Sequence, residues 1–247
     1  MKKYLGFVVA LLLPFSGFAG HHEESEPAIQ YVLTQGIKAD NAPASAGAAA
    51  KFLQSGVLGK RGVGMGLYGL NASSGNGATM AIDYYYPNGA SLPPADVQTV
   101  SPPHVAFFDE MRELGNETVY STIMSTVVEV APQSTIGVNK VFYLYYLTVT
   151  DPAGYVSEWK KLMKAMTKEG MAPTSYGLRE IVAGGENGET HMIWMGYPSM
   201  QVLMELYHES NNSDLAADFR TKAASMRTLS RTAIASQLAL DTAQMFE

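Results

Sequence analysis

The feature that most limits what this chain can fold into is an internal repeat. A residue in the first half and the residue 111 positions later fall in similar surroundings: Leu33 with Leu144, Asp40 with Asp151, Ala42 with Ala153, Gly59 with Gly170, Gly66-Leu67 with Gly177-Leu178 and Ala72 with Ala183. The match continues without a gap through Asn76-Gly77 with Asn187-Gly188, Thr79 with Thr190, Ile82 with Ile193 and Tyr86-Pro87 with Tyr197-Pro198. Thirteen identities fall in the 58 positions from Gln30 to Pro87, where roughly 3 or 4 are expected by chance at ordinary residue frequencies. Among them are punctuation residues, the turn glycines, an Asn-Gly hairpin signal and a proline after a strand. Late in the chain Phe108 with Phe219, Ile123 with Ile234 and Ser125 with Ser236 keep the same offset. A chain built this way folds as two like units.

Each unit reads β-α-β-β-α-β. In the second, Phe142 to Val149 is aromatic and β-branched and predicts a strand. From Asp151-Pro152 onward, Tyr155, Val156, Trp159, Leu162, Met163 and Met166 share one helical face. Gly170 suits the helix end. Strands are predicted at Ser175 to Val182 and Thr190 to Tyr197, and a helical region from Ser199 is interrupted at Asn211-Asn212. It resumes at Asp214 to about Met226, before a last strand at Leu229 to Leu240. The first unit follows the same order, with an alanine-rich helix near Ala46 to Leu58. Its second helix is disturbed by Pro93, Pro94, Pro102 and Pro103, and its last strand is Thr118 to Val130.

The fold class is therefore α+β, with tandem ferredoxin-like βαββαβ units. Such a unit has helices on only one face of its sheet, and two in tandem can cover each other's open faces. In this respect the chain resembles the dimeric α/β barrel superfamily with two units fused in one chain. The stretch Met192-Ile193-Trp194-Met195-Gly196-Tyr197-Pro198-Ser199 is similar to the antibiotic-biosynthesis-monooxygenase and NIPSNAP-like branches. The resemblance implies a fused barrel over Gln30 to Leu240. It leaves function open, because that superfamily holds cofactor-free monooxygenases, haem-using enzymes and isomerases. Two ferredoxin-like domains standing apart are the structural alternative.

The expected organisation is a signal peptide at 1–19, a polar N-terminus at 20–29, unit 1 at 30–130, a connection at 131–140, unit 2 at 141–241 and a tail at 242–247. Lys2 and Lys3, the apolar run Leu5 to Leu13, and the small residues Gly17 and Ala19 form the export pattern. The run is too short for a membrane span. A periplasmic or secreted protein follows, with no membrane anchor in the mature chain. Removing the two lysines takes the formal charge from −6 to −8, which argues against nucleic acid as a partner. The chain has no cysteine, hence no disulfide and no thiolate metal site.

Candidate functional residues are few. His191 lies on a predicted strand, either as a hydrogen-bonded core residue or as a general base or haem ligand; its repeat partner, Met80, excludes a symmetric pair. No His-Glu-x-x-His pattern occurs, and Gly62-Val63-Gly64-Met65-Gly66 leads into a strand, unlike a dinucleotide fingerprint. Aromatic residues crowd the strands, and alternation separates Tyr143 and Tyr145 from Phe142 and Tyr146. A ligand-binding set of Tyr145, Arg179 and Trp194 is predicted between the sheets, with Tyr146, His191 and Tyr197 as the set on the other faces. If cleavage leaves Gly20 first, His21 and His22 follow a free amine, and the amine, two amides and the His22 ring suit square-planar Cu(II) or Ni(II). The leading expectation is a binder of a small apolar or aromatic molecule without a permanent cofactor. A cofactor-independent oxygenase or isomerase is the second, and an interaction protein with a filled barrel the third. The sequence does not set the oligomeric state.

Overall fold

A hydrogen-bonded antiparallel sheet runs through both halves of the chain and closes on itself. The computed structural model describes residues 28–73, 77–92 and 101–242. The expected signal peptide, His21 and His22, Asn76, Pro93 and Pro94, and residues 243–247 of the tail lie outside them. The strands are β1 (Tyr31–Lys38), β2 (Gly64–Ser73), β3 (Met80–Tyr86), β4 (Glu117–Val130), β5 (Val141–Val149), β6 (Ser175–Ala183), β7 (His191–Tyr197) and β8 (Arg227–Asp241). Five helices among the described residues, α1 (Ala42–Gln54), α2 (Pro102–Glu113), α3 (Pro152–Lys168), α4 (Met200–Asn211) and α5 (Asp214–Ala223), lie outside the barrel. Around it the strand order is β1-β3-β2-β8-β5-β7-β6-β4.

Closure comes from edges. β2 pairs with β8 and β4 with β6, so the halves do not stand apart as separate domains. These two seams match in register: Met65 faces Asp241, Leu67 faces Ala239 and Tyr68 faces Gln237, while Tyr176 faces Val130, Leu178 faces Val128 and Arg179 faces Thr126. Moving each residue by 111 converts one seam into the other, including the slip after Leu67 and after Leu178.

The offset is not uniform, which corrects the ungapped reading. Leu33 faces Tyr84 and Ile123, whereas Tyr143 faces Met195 and Ile234. Tyr84 to Met195 and Ile123 to Ile234 are 111 apart, but Leu33 to Tyr143 is 110. The bulge in β1–β4 between Gly36 and Ile37 recurs in β5–β8 between Tyr146 and Leu147, again 110 apart. Helix starts agree: Asn41 Oδ1 accepts from the Ala44 amide and Asp151 Oδ1 from the Gly154 amide. Asn41 and Asp151 are therefore the equivalent caps, and the Leu33/Leu144, Asp40/Asp151 and Ala42/Ala153 identities are out of register by one.

Prolines 102 and 103 start α2 instead of disturbing it. At the first helical positions a proline has no amide hydrogen bond to lose and its φ already suits the helix. Outside the barrel, Phe52, Phe107 and Met111 pack on Leu67, Met80 and Ile82, and Trp159, Met163 and Phe219 pack on Leu147, Leu178 and Ile193. The alternate residues of the same strands point inward.

Candidate functional site

The inward rows do not fill the barrel. They leave a cavity of about 130 Å³. At one end its walls are Ile29, Ala131, Ile136 and Thr242, where the connection between the halves passes the starts of β1 and β5 and the ends of β4 and β8. Towards the other end stand Tyr120 and Tyr146. There Arg231 lies over the Tyr146 ring, 3.5 Å from its centre, and binds Glu189 through Nε–Oε1 at 2.8 Å and Nη2–Oε2 at 3.2 Å. Burial works against the Arg231 charge, but Glu189, Tyr146 and Tyr120 together outweigh it and hold the guanidinium above its ordinary value. A paired, stacked arginine in this position is a structural plug.

The middle of the cavity carries the chemistry. Tyr68, Phe142 and Trp194 form an aromatic wall, Tyr68 edge-on to Phe142 at 5.4 Å and Phe142 tilted against Trp194 at 6.4 Å. Asp83, from β3, accepts a 2.6 Å hydrogen bond from the Thr34 hydroxyl. Burial raises its carboxyl above the usual carboxylate range, against the pull of Thr34, Arg179 and Tyr85. The Tyr68 and Tyr85 hydroxyls bond to each other, and burial raises both. Arg179 sits 5.5 Å from the Trp194 ring centre, and its Nη2 is 3.7 Å from Glu129 Oε1. Glu129 is itself raised by burial, with Arg179 opposing. Among the cavity residues, Arg179 Nε, Trp194 Nε1, Gln237 Oε1 and Thr242 Oγ1 are buried without a hydrogen-bond partner.

Of the predicted sets, Arg179, Trp194 and Tyr146 meet at this cavity. Tyr145 does not: it packs on the helix side, edge-on to Tyr143 at 4.5 Å. His191 and Tyr197 also lie on the outer rows. His191 Nδ1 is 2.9 Å from Thr190 Oγ1, and burial lowers its ring below the ordinary histidine value. Tyr197 packs with Val141 and Leu203. Each set mixes faces, because alternation links residues within one strand but not those of neighbouring strands. His191 therefore cannot serve the cavity as base or ligand from its observed place. Among the described residues no group of three His, Cys, Asp or Glu could hold a metal ion, and no helix is long and apolar enough to cross a membrane.

Asp83, Glu129, Tyr68 and Phe142 are the residues that sequence reasoning missed. The signal for Asp83 is present: one carboxylate inside Met80-Ala81-Ile82-Asp83-Tyr84-Tyr85-Tyr86, a strand otherwise built to be buried. A charge in such a run needs partners or a function.

No family model and no curated protein matches the chain. Solved structures do. A candidate monooxygenase from Lactobacillus acidophilus aligns over 87% of this chain and 96% of its own, at 11% identity and a TM-score of 0.58. Another, from Fusobacterium nucleatum, aligns over 86% and 93% at 12% identity, with a TM-score of 0.56. An anthrone oxidase-like protein aligns over 87% and 94% at 12% identity, with a TM-score of 0.51. At such identity the likeness to these neighbours is one of fold.

Proposed function

We propose that the barrel interior binds a small apolar or aromatic molecule in an exported protein. The observation that carries this is the cavity itself, an aromatic-walled space between the halves with few, convergent polar groups, the usual make-up of a small-molecule site. It also weighs against a barrel filled wholly by its own side chains. Export rests on the pattern in residues 1–19. The matched seams, the recurrent bulge and the paired helix caps support reading the barrel as two fused ferredoxin-like units.

Native mass spectrometry of the protein isolated from the cell that makes it tests the binding reading. A co-purifying molecule is expected to be lost from Trp194→Ala, or bound about tenfold more weakly, because that change removes the widest part of the wall. A chain that carries nothing and takes up no hydrophobic probe defeats the reading.

A second reading, a cofactor-independent oxygenase, is favoured by Asp83. A carboxyl lifted by burial beside an aromatic-lined space is poised to take a proton from a bound acidic substrate. Oxygen uptake that depends on substrate and disappears in Asp83→Asn distinguishes this enzyme from a binder.

A further inference from the structure

Arg179 is an arginine whose surroundings are incomplete. It is 5% exposed, on β6, in the wall of the cavity. A guanidinium presents five donors in a fixed fork, yet among the described residues Arg179 makes no hydrogen bond. Glu129 at 3.7 Å is beyond hydrogen-bond distance, Nε has no partner, and the Trp194 ring offers only a face. At the other end of the barrel Arg231, equally buried, is held by both oxygens of Glu189. The contrast separates a structural arginine from one left with donors to spare, and burying donors unmade costs more than a typical hydrogen bond returns. Beside Arg179 the Trp194 Nε1–H is also buried and unpartnered.

We propose that the cavity takes a single-ring aromatic compound bearing one anionic oxygen group, carboxylate or phenolate, with that group on the Arg179 guanidinium and the ring against Phe142 and Trp194. This rests on the reading of the barrel as a binding site and names the ligand class. Size sets the single ring: a cavity of about 130 Å³ is close to apolar cavities of roughly 150 Å³ that accept benzene. Charge sets the anion. The fork geometry suits a carboxylate bidentately. Asp83 and Glu129, both raised by burial, meet the anion as neutral acids once protonated, so binding tightens as pH falls, as long as the ligand itself stays ionised.

Calorimetric titration of the whole exported chain with benzoate, 4-nitrophenolate and toluene tests this. At least one anion is expected to bind tenfold or more tightly than toluene, and which one identifies the oxygen group. Arg179→Met is expected to weaken that anion tenfold or more and leave toluene unchanged. Glu129→Gln, which removes the competing carboxylate while keeping its shape, is expected to strengthen the anion several-fold. Toluene binding as well as either anion, or an anion affinity within twofold of wild type in Arg179→Met, overturns the anionic ligand and leaves the barrel as a neutral-ring site. Should Arg179→Met not fold, an anion affinity not raised in Glu129→Gln overturns the proposal. If none of the three binds, the binding function falls with it.

Discussion

Asp83 and Gly177 are single residues on which the interior depends. Since burial raises the Asp83 carboxyl, the folded chain holds that proton more tightly than the unfolded chain does. The stabilisation is complete below about pH 4, the ordinary aspartate value, and is lost as pH rises through the folded value. Asp83→Asn keeps an oxygen for the Thr34 hydroxyl and has no charge to bury. It is expected to gain on wild type as pH is raised from about 4 to 8, by on the order of 1 kcal/mol, measured as urea midpoints across that range. A variant that tracks wild type at every pH shows that folding does not raise the Asp83 carboxyl. Gly177 matters for space. A Cβ there would run into the Trp194 indole nitrogen and lie 2.9 Å from the Val128 carbonyl oxygen. Gly177→Ala is expected to destabilise by about 1–3 kcal/mol and to shift the tryptophan emission. Its repeat partner Gly66 does the same service for the Tyr68 ring. This shared pair sits inside strands and clears room for interior aromatics.

At the scale of elements, most of the order was legible and the faces were not. Strands β5 to β8 and helices α3 to α5 fall within a few residues of their predicted places, because their periodicity and caps are strong. The face assignment failed for a physical reason. Strands covered by helices on one side and packed into a barrel on the other are apolar on both rows, as in β3 and β7, so hydrophobic alternation fades. The one-residue error in offset had a different origin: chance identities at Leu144 and Asp151 outweighed a cap equivalence that only hydrogen bonding reveals. That equivalence is testable. Asp151→Ala and Asn41→Ala each remove one side-chain oxygen from a helix start and are expected to destabilise by about 1 kcal/mol each. Asp40→Ala, beside the Asn41 cap, is expected to cost less than half of that. Equal losses at Asp40 and Asn41 in thermal melts would restore the uniform offset of 111. In the connection 184–190 between β6 and β7, Asn187 and Gly188 both adopt positive φ, 51° and 76°, and the Glu189 amide donates to the Glu186 carbonyl, so the Asn-Gly signal marks a tight turn inside a longer loop.

For the whole molecule, the halves share a frame and differ inside it. Positions equivalent by the offset of 111 carry Asp83 and Trp194, Tyr68 and Arg179, Tyr120 and Arg231, and Glu129 and Leu240. The interior is thus a joint product, and this is why neither unit's sequence announces it. A prediction about assembly follows from the same pairs. Cutting the chain within the 131–140 connection leaves each half with two strand edges bare, β2 and β4 on the first and β6 and β8 on the second, and bare edges seek partners. Because the two seams have the same register, the backbone would accept two first halves, two second halves, or one of each. Side chains decide among them. Two second halves would enclose two copies of Arg179 with Leu240 where Glu129 stands, and two first halves would enclose paired Asp83 and Glu129 with no arginine at the position of Arg179. Burying such charges unpaired costs several kcal/mol per ion, whereas one of each restores the Arg179–Glu129 pair. Co-expressed halves are expected to form a one-to-one complex that regains the cavity, and native mass spectrometry with differently tagged halves reads the outcome. A statistical mixture of homodimers and heterodimers would mean that the interior charges do not select the pairing, and that the seams alone hold the barrel together.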